Sequence, residues 1–320
     1  MKKILILGST GFIGRNAAEY FAENSDLEVY GTYFKSPPLD HKNIQMIQAD
    51  LTNKDDVDRV VRGKNIIIQA AAVTSGIKDV AENPHAFISD NAVMNSLILR
   101  SAFDHAVDHL ILLSCTVMYQ SSEIPLKETD FDANEEMYHS YFGGAWNKVY
   151  FEKMCEFYSR LGYTKFTALR HSNIYGPYDK FDLQRAHALG ATVNKVLTAA
   201  SDTLTVWGTG EEKRDLLYIS DMVNSIEAVI KNQIDPFKLY NIGLGEAVSI
   251  KDMVQKIIKI AGNSLKVEHD LSKPSNKTAF CLDISKAQHE LKWSPKITLE
   301  EGIGLTIKWF KTTLHNNSLN

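Results

Sequence analysis

The sequence predicts an α/β protein built on a doubly wound parallel sheet, with a smaller helix-rich lobe toward its C-terminal end. Three observations carry this. Short β-branched runs alternate with helical stretches through the first half of the chain. Most of those runs are near-continuously apolar, as strands covered on both faces must be. A glycine triplet at three-residue spacing follows the first run directly.

In order, the expected strands are residues 3–7, 28–32, 44–48, 65–69, 110–113 and 166–169. Helical patterns fall between them, as where Val57, Val60 and Val61 stand at i, i+3 and i+4. Alternating β and α units joined by right-handed crossovers wind a sheet outward in both directions. Beyond Asn173 the pattern is less regular, with helices expected over 183–200, 220–231, 250–261, 283–291 and 299–314. In the third of these, Met253, Val254, Ile257, Ile258 and Ala261 share one face. The chain therefore divides into residues 1–172, rejoined by parts of 211–242, and a mainly separate lobe over 173–320.

Bulk composition narrows the function classes. At 320 residues, 44% hydrophobic and 23% charged, the chain has the composition of an ordinary globular protein. A net charge of −4 leaves no broad basic field for nucleic acid or an anionic membrane. No apolar run is long enough to span a bilayer, and the N-terminal run of Ile4–Leu7 is too short for a secretion signal. Cys115, Cys155 and Cys281 are unpatterned, which argues against a disulfide framework or a zinc site and for a cytoplasmic protein.

The glycines specify a ligand. In Gly8-Ser9-Thr10-Gly11-Phe12-Ile13-Gly14, Gly8 permits the tight turn and Gly11 lets backbone approach a pyrophosphate. Gly14 brings the following helix close to the strand, and the helix start offers free N–H groups to the phosphates. This is a Rossmann cradle for NAD(H) or NADP(H). A ribose 2′-hydroxyl is ordinarily held by a carboxylate at the end of the second strand, but that strand leads into Lys35 with no carboxylate before Asp40. Lys35, helped by Arg15, would neutralise a 2′-phosphate, so NADP(H) is favoured and NAD(H) stays open.

Further motifs resemble one family along nearly the whole chain: the extended short-chain dehydrogenase/reductases that act on nucleotide sugars. They are the glycine triplet; Asp50-Leu51-Thr52 after the third strand; Ala70-Ala71-Ala72 after the fourth; and Arg170-His171-Ser172-Asn173-Ile174-Tyr175-Gly176-Pro177. Trp207-Gly208-Thr209-Gly210 running to Arg214-Asp215-Leu216, Leu282-Asp283-Ile284-Ser285-Lys286-Ala287 and Leu291-Lys292-Trp293-Ser294-Pro295 complete the series. The stretch over 173–188, with Lys180, is most similar to the GDP-fucose synthase branch. The resemblance implies a cofactor along Gly8, Thr10, Gly11, Phe12, Ile13, Gly14, Asp50, Leu51, Ala70, Ala71 and Lys148. It implies a nucleotide-diphosphate sugar held by Asn173, Lys180 and Arg214, and a homodimer joined by helices near 86–103 and 140–161.

The family moves hydride between nicotinamide C4 and a sugar carbon, with a Tyr four residues before a Lys as proton carrier and a Ser or Thr near the fifth strand. Lys148 fits that Lys, four residues before Glu152, but Gly144 stands where the Tyr belongs and Cys115 where the hydroxyl belongs. Three accounts are open. Another acid substitutes, with Tyr141 seven residues before Lys148 and Thr116 beside Cys115 as candidates. Or proton transfer relies on water or substrate. Or the chain is a non-catalytic sensor that binds NADP(H) and the sugar nucleotide.

Other residues read more plainly. His105 and His109 form an i, i+4 pair read as a solvated edge at a helix end rather than a metal site. Cys115 reads as a small core residue, with a Lys148-activated thiolate as the alternative. Trp207, Tyr119 and Tyr175 read as packing residues.

Overall fold

The computed structural model describes residues 1–73, 84–183, 186–272 and 279–318. Its centre is set by β1 (Lys2–Leu7), whose last four residues are all buried. Successive side chains on a strand point to opposite faces. Ile4 and Ile6 accordingly enter one core, and Leu5 and Leu7 the other. A strand buried on both faces needs parallel neighbours and covering helices. β1 pairs in parallel with β2 (Leu27–Tyr33) on one side and β4 (Ile66–Gln69) on the other. β3 (Ile44–Gln48) lies outside β2. β5 (His109–Cys115), β6 (Lys165–His171) and β10 (Phe237–Ile242) extend the far side, giving the order β10-β6-β5-β4-β1-β2-β3 with every pairing parallel.

One face is covered by α2 (Lys54–Val61), α3 (Pro84–Asp104) and α4 (Phe142–Ser159), which pack Val57, Val60, Ile98 and Phe151 onto Leu5, Ile67, Leu110 and Phe166. Asn53 caps α2, its side chain accepting from the N–H groups of Asp55 and Asp56. The other face receives α1 (Phe12–Ala22) and α6 (Ile219–Asn232), whose Ala17, Ala18, Val223 and Ile226 share a core with Ile6, Ile111 and Leu169. Strand order reverses between β1 and β4, the switch point outside whose carboxyl ends doubly wound folds bind ligands.

After β6 the chain leaves the large sheet for two small ones. β7 (Asn173–Tyr175), β9 (Lys213–Tyr218) and β11 (Ala247–Ser249) make a mixed three-stranded sheet. β8 (Thr203–Trp207) pairs with β12 (Lys266–Asp270). The helices here are α5 (Ala188–Leu197), α7 (Ile250–Ala261), α8 (Ser285–Leu291) and α9 (Leu299–Ser318). The third expected helix, α7, is bounded by the Ser249 cap, whose Oγ accepts from Asp252 N, and by Gly262 in the left-handed region.

Three expectations need correction. The helix expected over 183–200 is shorter, because His187 is extended (ψ 164°) and the helix starts only at Ala188; residues 184–185 lie outside those described. His109 is no solvated edge. It opens β5 at 3% exposure, with Nε2 2.7 Å from Thr167 Oγ1, and burial pulls its pKa down to about 3. Its partner His105 lies instead against Asp58. Trp207 is not core: it is 50% exposed, because the β8 alternation turns Leu204 and Val206 inward and Trp207 outward.

Candidate active site

The glycine turn has the stereochemistry the motif requires. Gly8 sits at φ +75°, and a Cβ there would come within 2.6 Å of Ala71 Cα, so only glycine lets β1 turn against the end of β4. A Cβ on Gly14 would overlap the Gly8 carbonyl. The neighbouring strand braces the turn, with Thr32 Oγ1 accepting from Gly8 N and Thr32 O from Ser9 Oγ. Gly11 is the N-cap of α1 and supplies no side-chain cap, and the first turn holds no acidic residue. Gly11 N donates to Gly8 O, and the N–H groups at Thr10, Phe12 and Ile13 flank an uncompensated positive dipole end, which fits an anionic pyrophosphate.

Around this turn stand the other residues expected to contact the cofactor. Asp50 follows β3 and folds back on itself, one carboxylate oxygen accepting from Thr52 N and Oγ1, while Leu51 beside it is buried. Gln69 shapes the turn at Ala70 and Ala71, accepting from Ala71 N and donating to Ala71 O and to Asn95. Arg15 is committed elsewhere than the second strand: it pairs with Glu19 at 2.8 Å and lies 3.8 Å from the centre of the Tyr178 ring. Lys35 remains at the β2 end, its ammonium 5.2 Å from the Phe34 ring centre.

The corner expected to handle proton transfer stands at the carboxyl ends of β5 and β6. Lys148 reaches it from α4, its Nζ donating to Leu113 O at 2.9 Å. One turn further, Glu152 is buried and accepts from Ser114 Oγ (2.6 Å) and from Arg170 Nε and Nη2 (3.0 and 2.6 Å). Arg170 also donates to Tyr119, whose hydroxyl donates to Asn241 on β10. This network clamps α4 to β5, β6 and β10 behind the edge where Cys115 and His171 sit. Tyr119 is a packing residue as expected, its hydroxyl pushed up to about 12 by burial.

Gly144, on the same face of α4 as Lys148, borders space: a Cβ there would meet nothing within 4 Å. Tyr141 does not fill it by continuing the helix. It closes a 3₁₀ turn, His139–Tyr141, and is the N-cap of α4, which begins at Phe142. Tyr141, 45% exposed, instead bears on Arg214 together with Tyr138. Thr116 accepts from Tyr119 N through its carbonyl in the turn after β5, beside Cys115. The residue not anticipated is His171. It ends β6 as the register partner of Cys115, and the signal was its place as the last strand residue before the Ser172–Asn173 turn.

The far wall comes from the small sheets. Asn173 on β7 donates to Asp215 O (3.3 Å), and Arg214 on β9 donates to Lys213 O (2.8 Å). Burial pulls the Arg214 guanidinium below its usual pKa, opposed by Tyr141, Glu212 and Tyr138. Asp215 anchors this wall, its buried carboxylate accepting from the N–H groups of Leu244, Gly245 and Leu282. Lys180 lies beside Asp179, whose carboxyl burial raises to about 6 against the pull of His187 and Lys180. The two walls touch where Asn16 of α1 donates to Pro177 O at 3.0 Å.

Fold and site together define a nicotinamide-dinucleotide enzyme. The chain belongs to the NAD dependent epimerase/dehydratase family, whose model matches residues 4–243. It is 29% identical to the GDP-L-fucose synthase of Azorhizobium caulinodans, the alignment covering 97% of each chain. It is 28% identical to the GDP-L-colitose synthase of Yersinia pseudotuberculosis, covering 98% of this chain and 100% of that one. The solved UDP-glucose 4-epimerase of Thermotoga maritima, with UDP-glucose bound, has the same fold at a TM-score of 0.86 and 22% identity, covering 98% and 99% of the chains. Among the described residues no helix is long and apolar enough to cross a membrane.

Proposed function

We propose that this chain oxidises, reduces or epimerises the sugar of a nucleotide diphosphate by hydride transfer, with a proton carrier other than the family tyrosine. The observation that carries the reading is the meeting of two walls. Lys148 and the glycine cradle belong to the large sheet and its helices, while Arg214 on β9 is coupled to Tyr138 and Tyr141, just ahead of the helix that carries Lys148. A guanidinium suits paired phosphate oxygens. The names of the curated relatives, GDP-sugar synthases, point to the same substrate class. A bound nicotinamide dinucleotide would supply the hydride donor or acceptor. Lys148 would hold its ribose, and Asn173, Lys180 and Arg214 would hold the sugar nucleotide.

The finer assignments follow from residues in place. NADP(H) is the proposed cofactor, because Lys35 follows β2 where a carboxylate would select NAD(H). Residues 1–172 with part of 211–242 would bind it, and 173–320 would mainly hold the sugar nucleotide. A homodimer is proposed through α3 and α4, whose Val93, Phe142, Trp146, Tyr150 and Phe157 are exposed apolar residues. The cytoplasm is the proposed compartment, on three free cysteines.

The test is calorimetric titration with NAD(H), NADP(H) and a panel of GDP- and UDP-hexoses, followed by turnover assays. Binding of both ligand classes, with turnover falling about 10²–10⁴-fold in Lys148→Ala, is the expected result. Binding to neither class would defeat the proposal. The sensor reading, favoured by Gly144 and Cys115, predicts binding with no turnover of any sugar nucleotide.

A further inference from the structure

We propose that His171 is the catalytic base of this enzyme, its Nε2 taking the proton of the sugar hydroxyl that is oxidised. The inference rests on the sugar-nucleotide reading above and adds to it a residue and a direction. His171 ends β6 on the carboxyl edge of the sheet, with Cys115 of β5 and Ile242 of β10 as its register partners. Register partners in parallel strands present their side chains to the same face. His171 and Cys115 therefore stand side by side, on the face to which Leu113 and Leu169 contribute one pleat lower. Lys148 Nζ is bonded to that same lower step, at Leu113 O.

The protonation state follows from hydrogen bonding. His171 Nδ1 lies 2.8 Å from Ser172 O, and a carbonyl can only accept, so Nδ1 carries the ring proton. Nε2 then keeps its lone pair, and among the described residues no hydrogen bond engages it. Two other titratable side chains bear on the ring electrostatically, Lys148 from α4 and His187 ahead of α5, with Cys115 beside it on β5. Burial, the largest cause, pulls the ring pKa down to about 4, and the Lys148 ammonium adds to it in opposing a second proton. A neutral ring with Nδ1 bonded to Ser172 O has a lone pair at Nε2 and no proton to give there, so it can only accept, and oxidation of a sugar hydroxyl is the direction it serves.

In that step the hydroxyl O–H bond breaks and its proton passes to Nε2. The hydrogen on the same carbon leaves with its electron pair as hydride to an oxidised nicotinamide dinucleotide, and the C=O bond forms. The sugar carbon is oxidised, the dinucleotide is reduced, and burial and the Lys148 ammonium favour release of the proton from the imidazolium to water. The space at Gly144 is where the family tyrosine would do this work.

The test uses the full-length protein with oxidised cofactor and a panel of GDP- and UDP-hexoses. His171→Asn is expected to lose about 10²–10⁴-fold in cofactor reduction while both binding constants stay within a few-fold of the parent. The parent rate should rise with pH along a single ionisation that His171→Asn abolishes. Adding Gly144→Tyr should restore at least about tenfold of the lost rate, a rescue that a purely structural role for His171 would not give. Imidazole ¹⁵N NMR of the unaltered protein is an independent readout, and stands even if His171→Asn fails to fold. It should show Nδ1–H, and an Nε2 resonance that moves when the sugar nucleotide binds. An Nε2–H tautomer, an unmoved Nε2 resonance, or a variant with parental rate and pH profile would overturn the role of His171. Failure of every sugar nucleotide to bind would instead overturn the functional reading beneath it.

Discussion

The two ends of the proposed cleft are built by different means. The cradle is made of backbone: Gly8 and Gly14 lie so close to Ala71 and to the Gly8 carbonyl that a single added carbon has no room. The corner at Lys148 is made of side chains, and there Gly144 has room to spare. A site made of backbone fixes its residues, since any Cβ obstructs it. A site made of side chains fixes only the chemistry, which can be supplied from another strand. The contrast explains how the cradle can match its motif at every position while the corner has lost two of three.

Behind the corner, the framework leaves less freedom than the corner itself. Replacing Arg170 with Met would leave Glu152 charged and buried without its partner, and a loss of about 3–5 kcal/mol in urea unfolding is expected. A loss under about 1 kcal/mol would mean that the Glu152–Arg170 pair is not what fixes α4 to the sheet. In the cradle, Gly14→Ala should cost about 1–3 kcal/mol from overpacking and remove cofactor binding in a fluorescence titration. Retained binding would break the contrast, because it would show that the turn can shift.

A pH experiment reaches the strand beneath the corner. His109 is buried with its folded pKa pulled down to about 3, so between pH 6.5 and 3 the unfolded chain holds the extra proton. Stability is therefore full above about pH 6.5 and declines as the pH falls below it, at up to about 1.4 kcal/mol per pH unit for this group. Urea midpoints at pH 6.5 and 5 measure the slope, and His109→Gln, which keeps a hydrogen bond available to Thr167, should flatten it. The smallest effect is expected at the open rim. Lys35→Ala should weaken NADP(H) by roughly 1 kcal/mol, about fivefold, and leave NAD(H) unchanged. Equal weakening of both would remove the case for a 2′-phosphate contact.

Much of this was legible in the sequence because the large sheet is regular. Ile4 to Leu7, Val57/Val60/Val61 and the face of α7 each follow one period, and a period is visible without knowing what lies opposite. The misread residues depended on what lay opposite. His109 looked like the polar end of a helix, but the chain turns earlier, with Ala106 at φ +49°, and Thr167 across the strand gives the ring its partner. Trp207 looked apolar enough for the core, yet the phase of β8 turns it out. His171 could be seen only when strand register set it beside Cys115.

The return of the chain to the large sheet at β10 has a consequence for how such proteins can be inherited and cut. Ser172 N donates to Ile242 O at 2.8 Å, so the strands on which the chain leaves and re-enters the sheet are neighbours. A fragment ending at residue 172 would leave the β6 edge bare, a template for intermolecular pairing, and would lose Asn241 from the Arg170–Tyr119 clamp. The segment between the two crossings can be exchanged for another only by cutting in both places. The parts proposed to meet the two ligands would therefore travel as a single cassette, with one segment nested inside the other.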